Sequence, residues 1–175
     1  WEIYFERLAL HVTSKIKVMK NHSDFFVHSR TITIVLAHLI LMNDAIGRHW
    51  SVRLRTLNGF YLSAADGGGG SLSTDQNRPG PWETFTMLDT NAGELNGGDI
   101  VALRSANGHF VSAHNDGGGD VAARSGAPNS WELFILSRLR GGTLECRDTI
   151  MLQTHPTGEF VGSYGGLVQA ISTTF

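Results

Sequence analysis

Two Trp-Glu pairs, Trp82-Glu83 and Trp131-Glu132, stand in one shared context, each followed after one intervening residue by a phenylalanine, Phe85 or Phe134. A tryptophan face stacks on the apolar C–H face of a pyranose, and a carboxylate beside it accepts hydrogen bonds from sugar hydroxyls. Trp1-Glu2 opens the chain with the same pair and is a candidate third pocket. Asp75, Asn77 and Arg78 precede Trp82, and Arg124 holds a comparable place before Trp131. These polar residues are candidate contacts for sugar hydroxyls. The competing reading makes the tryptophans barrel core and the polar residues Asx turns and solvated loop.

Other chemistries find little footing. A glycosidase needs two carboxylates at a fixed separation across the scissile bond, and Glu83 and Glu132 belong to different repeats. The glycine runs Gly67–Gly70 and Gly117–Gly119 carry no lysine and lead into no helix signal, so they do not read as phosphate cradles. Their plain reading is positive-φ hairpin tips, and small residues there would also leave an open wall beside a ligand. The 8 histidines form no His-x-x-x-His or His-Glu-x-x-His pattern, and no metal or other cofactor is expected. The single cysteine, Cys146, excludes an intrachain disulfide framework and has no nucleophile signature around it. The expectation is a non-catalytic binding protein.

The elements that must position these residues come from an internal repeat. Val52-Arg-Leu-Arg-Thr-Leu-Asn-Gly-Phe-Tyr-Leu-Ser-Ala64 is answered by Val101-Ala-Leu-Arg-Ser-Ala-Asn-Gly-His-Phe-Val-Ser-Ala113, and the same offset relates the two Trp-Glu-x-Phe segments. A third unit starts at Ile150, carries one extra residue before Gly158, and ends before a Trp-Glu-x-Phe segment is due. Within a unit, Val52, Leu54 and Thr56 alternate with Arg53 and Arg55, the period-two pattern of half-buried strands. Asn58-Gly59 and Asn107-Gly108 read as type I′ hairpin turns. Each unit therefore holds about four short strands. Three pseudo-repeats of about 40–50 residues predict an all-β protein, a β-trefoil.

Asn-Gly-x-(Phe/Tyr)-(Leu/Val)-Ser-Ala, then a glycine run, then Trp-Glu-x-Phe, resembles the fascin-like β-trefoil family over residues 49–175. In motif the sequence is also similar to β-trefoil carbohydrate-binding modules with Trp-Glu pockets. That resemblance implies a lectin-like, multivalent module for polysaccharide or oligosaccharide, β-glucan first, secreted or extracellular, with a catalytic domain in a longer parent chain as a partner. The alternative it implies is fascin-like actin binding or bundling, which would place the chain in the cytoplasm. F-actin attracts basic surfaces, and Arg138, Arg140 and Arg147 are diluted by Glu145 and Asp148.

The N-terminal part stays open to two readings. In one, residues 1–10 supply a closing strand and residues 11–48 are an insertion. In the other, residues 11–48 hold a degenerate repeat.

Composition sets the outer bounds. The 175 residues carry 14 Lys+Arg against 16 Asp+Glu, a formal net charge of −2, so no long-range pull on nucleic acid is expected. Glycine accounts for 21 residues, against a usual share of about 7 %. The apolar run Ile32 to Met42 is too short for a bilayer, which needs roughly 20 residues.

Overall fold

The computed structural model describes residues 1–6, 49–91, 93–138 and 141–171. The reading of residues 11–48 as insertion or degenerate repeat lies outside them. The described chain forms β1 (Glu2–Glu6), β2 (His49–Arg55), β3 (Tyr61–Ala64), β4 (Leu72–Gln76), β5 (Phe85–Asp89) and β6 (Ile100–Arg104). It continues with β7 (Phe110–Ala113), β8 (Gly119–Ser125), β9 (Phe134–Arg138), β10 (Ile150–Thr154), β11 (Phe160–Tyr164) and β12 (Leu167–Ile171). Among the described residues the helical pieces are single 3₁₀ turns at Ala65–Gly67, Pro81–Glu83, His114–Asp116 and Ser130–Glu132. The protein is all-β.

The alternating sequence explains the strands. In β2, Val52 and Leu54 are fully buried while Arg53 and Arg55 stay on the outer face. Met87 of β5, Leu136 of β9 and Ile3 of β1 are fully buried in the same way. Burying a side chain of this size contributes about 1.5–3 kcal/mol, so these positions fix which face of each strand turns inward.

A closed barrel results. β1 pairs with β2, β2 with β5, β5 with β6, β6 with β9 and β9 with β10, all antiparallel. The ring shuts where β1 returns to β10, through the bridge Glu2–Thr149 and the bond from the Ile150 N–H to the Trp1 carbonyl at 2.7 Å. Closure leaves no free strand edge in the ring.

The remaining strands form three hairpins, β3–β4, β7–β8 and β11–β12, which meet one another. Leu167 of β12 pairs with Ser73 of β4, Gln169 pairs with Asp120 of β8, and Ser71 bridges to Ala122. Leu62, Leu72, Val111, Val121 and Val168 from the hairpins share one apolar core with the barrel residues.

The turns leading into the hairpins differ from the type I′ expectation. Gly59 and Gly108 have φ of +95° and +87°, but Asn58 and Asn107 are not among the positive-φ residues. The Gly59 N–H bonds to the Thr56 carbonyl at 2.9 Å, and Gly108 bonds to Ser105 at the same distance. A type I′ turn needs positive φ at both central residues. Here the glycine alone takes it, in the bulge position that follows a wider turn.

Candidate functional site

The two Trp-Glu pairs sit in the 3₁₀ turns that enter β5 and β9. In both, the two side chains part company. Trp82 is 47 % exposed and Trp131 38 %, whereas Glu83 and Glu132 are buried. Glu83 accepts from the Gly80 N–H at 2.6 Å through Oε2 and from the Ser63 hydroxyl at 2.6 Å through Oε1. Glu132 accepts from the Asn129 N–H at 2.8 Å through Oε2. Each glutamate thus closes a capping box three residues downstream of Gly80 or Asn129. The expectation of a carboxylate presented to sugar hydroxyls is corrected for Glu83, whose oxygens are both taken inside the protein. Glu132 has one oxygen, Oε2, engaged by the cap and borders a cleft. The overlooked signal was the spacing Gly80-x-x-Glu83 and Asn129-x-x-Glu132, a cap-to-N3 interval legible in the sequence.

Trp1-Glu2 is not a third copy. Val52 pairs with Phe85 and Val101 with Phe134, and the matching residue Ile150 faces Trp1. Trp1 therefore fills the barrel position of the two phenylalanines, three residues away from the place of Trp82 and Trp131. Its indole N–H donates to the Val161 carbonyl at 3.1 Å, and the ring packs on the core. Glu2 lies on strand β1, where its carboxylate accepts from the Tyr4 hydroxyl at 3.0 Å and faces Arg55 at 3.6 Å. Neither side chain resembles a sugar pocket, so this expectation is withdrawn.

The second repeat holds a cleft of about 690 Å³. Period-two alternation lays its floor. Ala122 of β8 and its cross-strand partner Ser112 of β7 form the middle, with Asp120 and Arg124 at the two ends of the same face of β8. Gly117–Gly119 form one wall, and Trp131 stands with its ring centroid 5.1 Å from that of His114, tilted by 35°. His114, absent from the candidates drawn from the sequence, starts the 3₁₀ turn directly after the Ser112-Ala113 end of β7. The first repeat has Ala65 at the same place, so the aromatic pair is confined to the second repeat.

The other candidates are scattered. Strand registers Ala64–Leu72 and Ala113–Val121 make Asp75 the counterpart of Arg124. Asp75 is exposed and accepts from Ser73 and Gln76 through Oδ1, both at 3.0 Å. Asn77 and Arg78 are exposed on the loop that follows β4. Arg124 is exposed and donates to the Ser71 hydroxyl at 3.2 Å across the seam between repeats. A second cleft of about 530 Å³ lies along Arg53, Thr84, Thr86 and Arg104, and no exposed aromatic lines it. Trp82 lines neither cleft.

The glycine runs are seams between repeats and not free tips. The Gly69 N–H bonds to the Ala123 carbonyl at 2.6 Å, and the Gly118 N–H bonds to the Ala170 carbonyl at 3.0 Å. A methyl group on Gly68 would stand 2.4 Å from the Ser105 hydroxyl oxygen.

With this geometry in hand, no family model matches the sequence, and no curated protein matches it. Solved structures do share the fold. The SDF2-like protein from Arabidopsis thaliana superposes with a TM-score of 0.58 at 12 % identity, over 71 % of this chain and 86 % of that one. At that identity the likeness speaks for the fold alone. The assignment to a fascin-like β-trefoil family, and to Trp-Glu carbohydrate-binding modules by motif, is overturned: the structural likeness found is to an SDF2-like protein. The actin-binding expectation rested on that resemblance and goes no further. Among the described residues no helix is long and apolar enough to cross a membrane, and no group of three or more His, Cys, Asp or Glu side chains is placed to hold a metal ion.

Proposed function

We propose that this protein is a non-catalytic carbohydrate-binding module whose principal site is the cleft beside Trp131. One observation carries the reading: an exposed indole, paired with the His114 ring, lines a cleft together with Ser112, Ala122, Asp120 and Arg124. A pyranose needs such an apolar platform with acceptors and donors at its edge, and Asp120 and Arg124 supply both. The capped state of Glu83 and Glu132 supports the absence of hydrolysis, since a glycosidase keeps its two carboxylates free to flank the bond. β-Glucan-type polysaccharide is the first ligand to test. Trp82 would add a second, weaker contact on a long chain through effective concentration.

The same reading includes a trefoil-type arrangement of three repeats. It is supported by the matching pairs Val52–Phe85, Val101–Phe134 and Ile150–Trp1 and by the mutual contacts of the three hairpins. A secreted location and an attached catalytic domain belong to the proposal as well.

Affinity electrophoresis through gels containing β-1,3-, β-1,6- and mixed-linked glucans, with galactan and xylan as controls, tests the function. Retardation on at least one matrix is expected. Trp131→Ala should abolish most of it and Trp82→Ala only a minor part, with both variants folded because both rings are exposed. Absence of retardation on every matrix, or retardation untouched by Trp131→Ala, would overturn the proposal.

A further inference from the structure

The two repeats that carry an exposed tryptophan differ in charge at one equivalent position, Asp75 in the first and Arg124 in the second. Asp75 is turned onto its own strand, holding Ser73 and Gln76. Arg124 is turned into the cleft and is held from outside it by a single bond to the Ser71 hydroxyl at 3.2 Å. An arginine presents five N–H donors in a planar fork, and one contact leaves most of them uncommitted. Among the described residues no carboxylate forms an ion pair with it. Asp120 stands at the opposite end of the β8 face, about 13 Å away along an extended strand. Glu132, also in the lining, accepts from the Asn129 N–H through one of its two oxygens and forms no ion pair with Arg124. Arg124 thus borders the cleft as a cation with no ion-pair partner among the described residues, at the end of the β8 face away from Asp120 and beside the aromatic platform of Trp131 and His114; Glu132 is the other carboxylate in the lining.

We infer that the cleft takes a saccharide bearing a carboxylate, a uronic acid, with the guanidinium of Arg124 receiving the carboxylate and Trp131 carrying the adjoining ring. This deepens the function proposed above and rests on it. The planar, two-oxygen carboxylate matches the guanidinium fork, whereas a neutral hydroxyl leaves the charge uncompensated. Ser71, contributed by the neighbouring repeat, positions the arginine. The preference belongs to the second repeat alone, because the first places an acid at the same point.

Isothermal titration of the native protein with a β-1,3-gluco-oligosaccharide and with its C6-oxidised counterpart tests this at low ionic strength. The oxidised sugar is expected to bind about tenfold tighter, the size of a charge-assisted hydrogen-bonded contact. Arg124→Gln should erase the difference between the two sugars, any contact it loses to neutral hydroxyls being lost to both alike. Arg124→Lys, which keeps the charge and loses the fork, should restore part of it, and circular dichroism confirms that both variants fold. Added salt should narrow the gap. If the neutral and oxidised sugars bind equally, or if the preference survives Arg124→Gln, the inference falls while the carbohydrate-binding function stands, provided Trp131→Ala abolishes binding. If neither sugar binds, both fall.

Discussion

Single side chains decide how the Trp-Glu pairs divide their labour. The indoles reach outward and the carboxylates turn back to cap the turn that carries them, so one dipeptide serves surface and frame together. Removing the carboxylate in Glu83→Ala strands the Gly80 N–H and the buried Ser63 hydroxyl. The expected loss is about 2–3 kcal/mol of unfolding free energy, read from the shift of a urea transition, with glucan retention per folded molecule unchanged. Loss of retention at unaltered stability would instead show Glu83 in contact with sugar. The sequence displays Trp82 and Glu83 side by side, and only the Gly80-x-x-Glu83 interval hints at which of them turns inward. That follows from the turn, where two consecutive residues project in different directions. His114 was hidden for a related reason. Its importance arises from the ring of Trp131, distant in sequence, and not from any histidine spacing.

At the scale of elements, the strands and the repeat were legible because burial imposes alternation: Val52 and Leu54, or Val101 and Leu103, mark the inward face whatever surrounds them. Registers were not. Trp1-Glu2 looks like the other two pairs, yet pairing with Ile150 shifts it three residues into the slot of Phe85 and Phe134. Local composition cannot reveal a register that a distant strand imposes. Trp1→Ala should consequently destabilise the fold, by about 3 kcal/mol for a part-buried aromatic, while Trp82→Ala stays within about 0.5 kcal/mol. Thermal unfolding of the two variants separates them, and equal effects would contradict the slot assignment. The glycine runs obey the same logic of seams. Gly68, at φ +125° and facing the Ser105 hydroxyl, should lose about 2 kcal/mol on replacement by alanine. Gly70 has open space where the methyl group would go and no positive φ, so Gly70→Ala should change the urea midpoint little. A costly Gly70→Ala would show that the run is constrained as a whole.

Taken as a whole molecule, the barrel is a ring whose first strand is held between β2 and β10. A chain lacking residues 1–6 would expose the edges of both neighbours. Size-exclusion chromatography should then show aggregates or strand-exchanged dimers instead of monomer, and a monomeric, cooperatively unfolding product would mean the ring tolerates an opening. The closed all-β ring could be anticipated from the repeat, and residues 1–10 stood as one candidate for its closing strand; the register of that seam, Trp1 beside Ile150, could not be read from the sequence. That seam also imposes an order of events during synthesis. At about 5–20 residues per second, a nascent chain carries β1 for about 7–30 seconds before β10 has been made. Through that interval Ile3, buried in the finished protein, has no completed barrel to enter. The beginning of the chain is thus the last piece to be locked, and refolding from denaturant should be slow, governed by a contact between residues nearly the full described length apart.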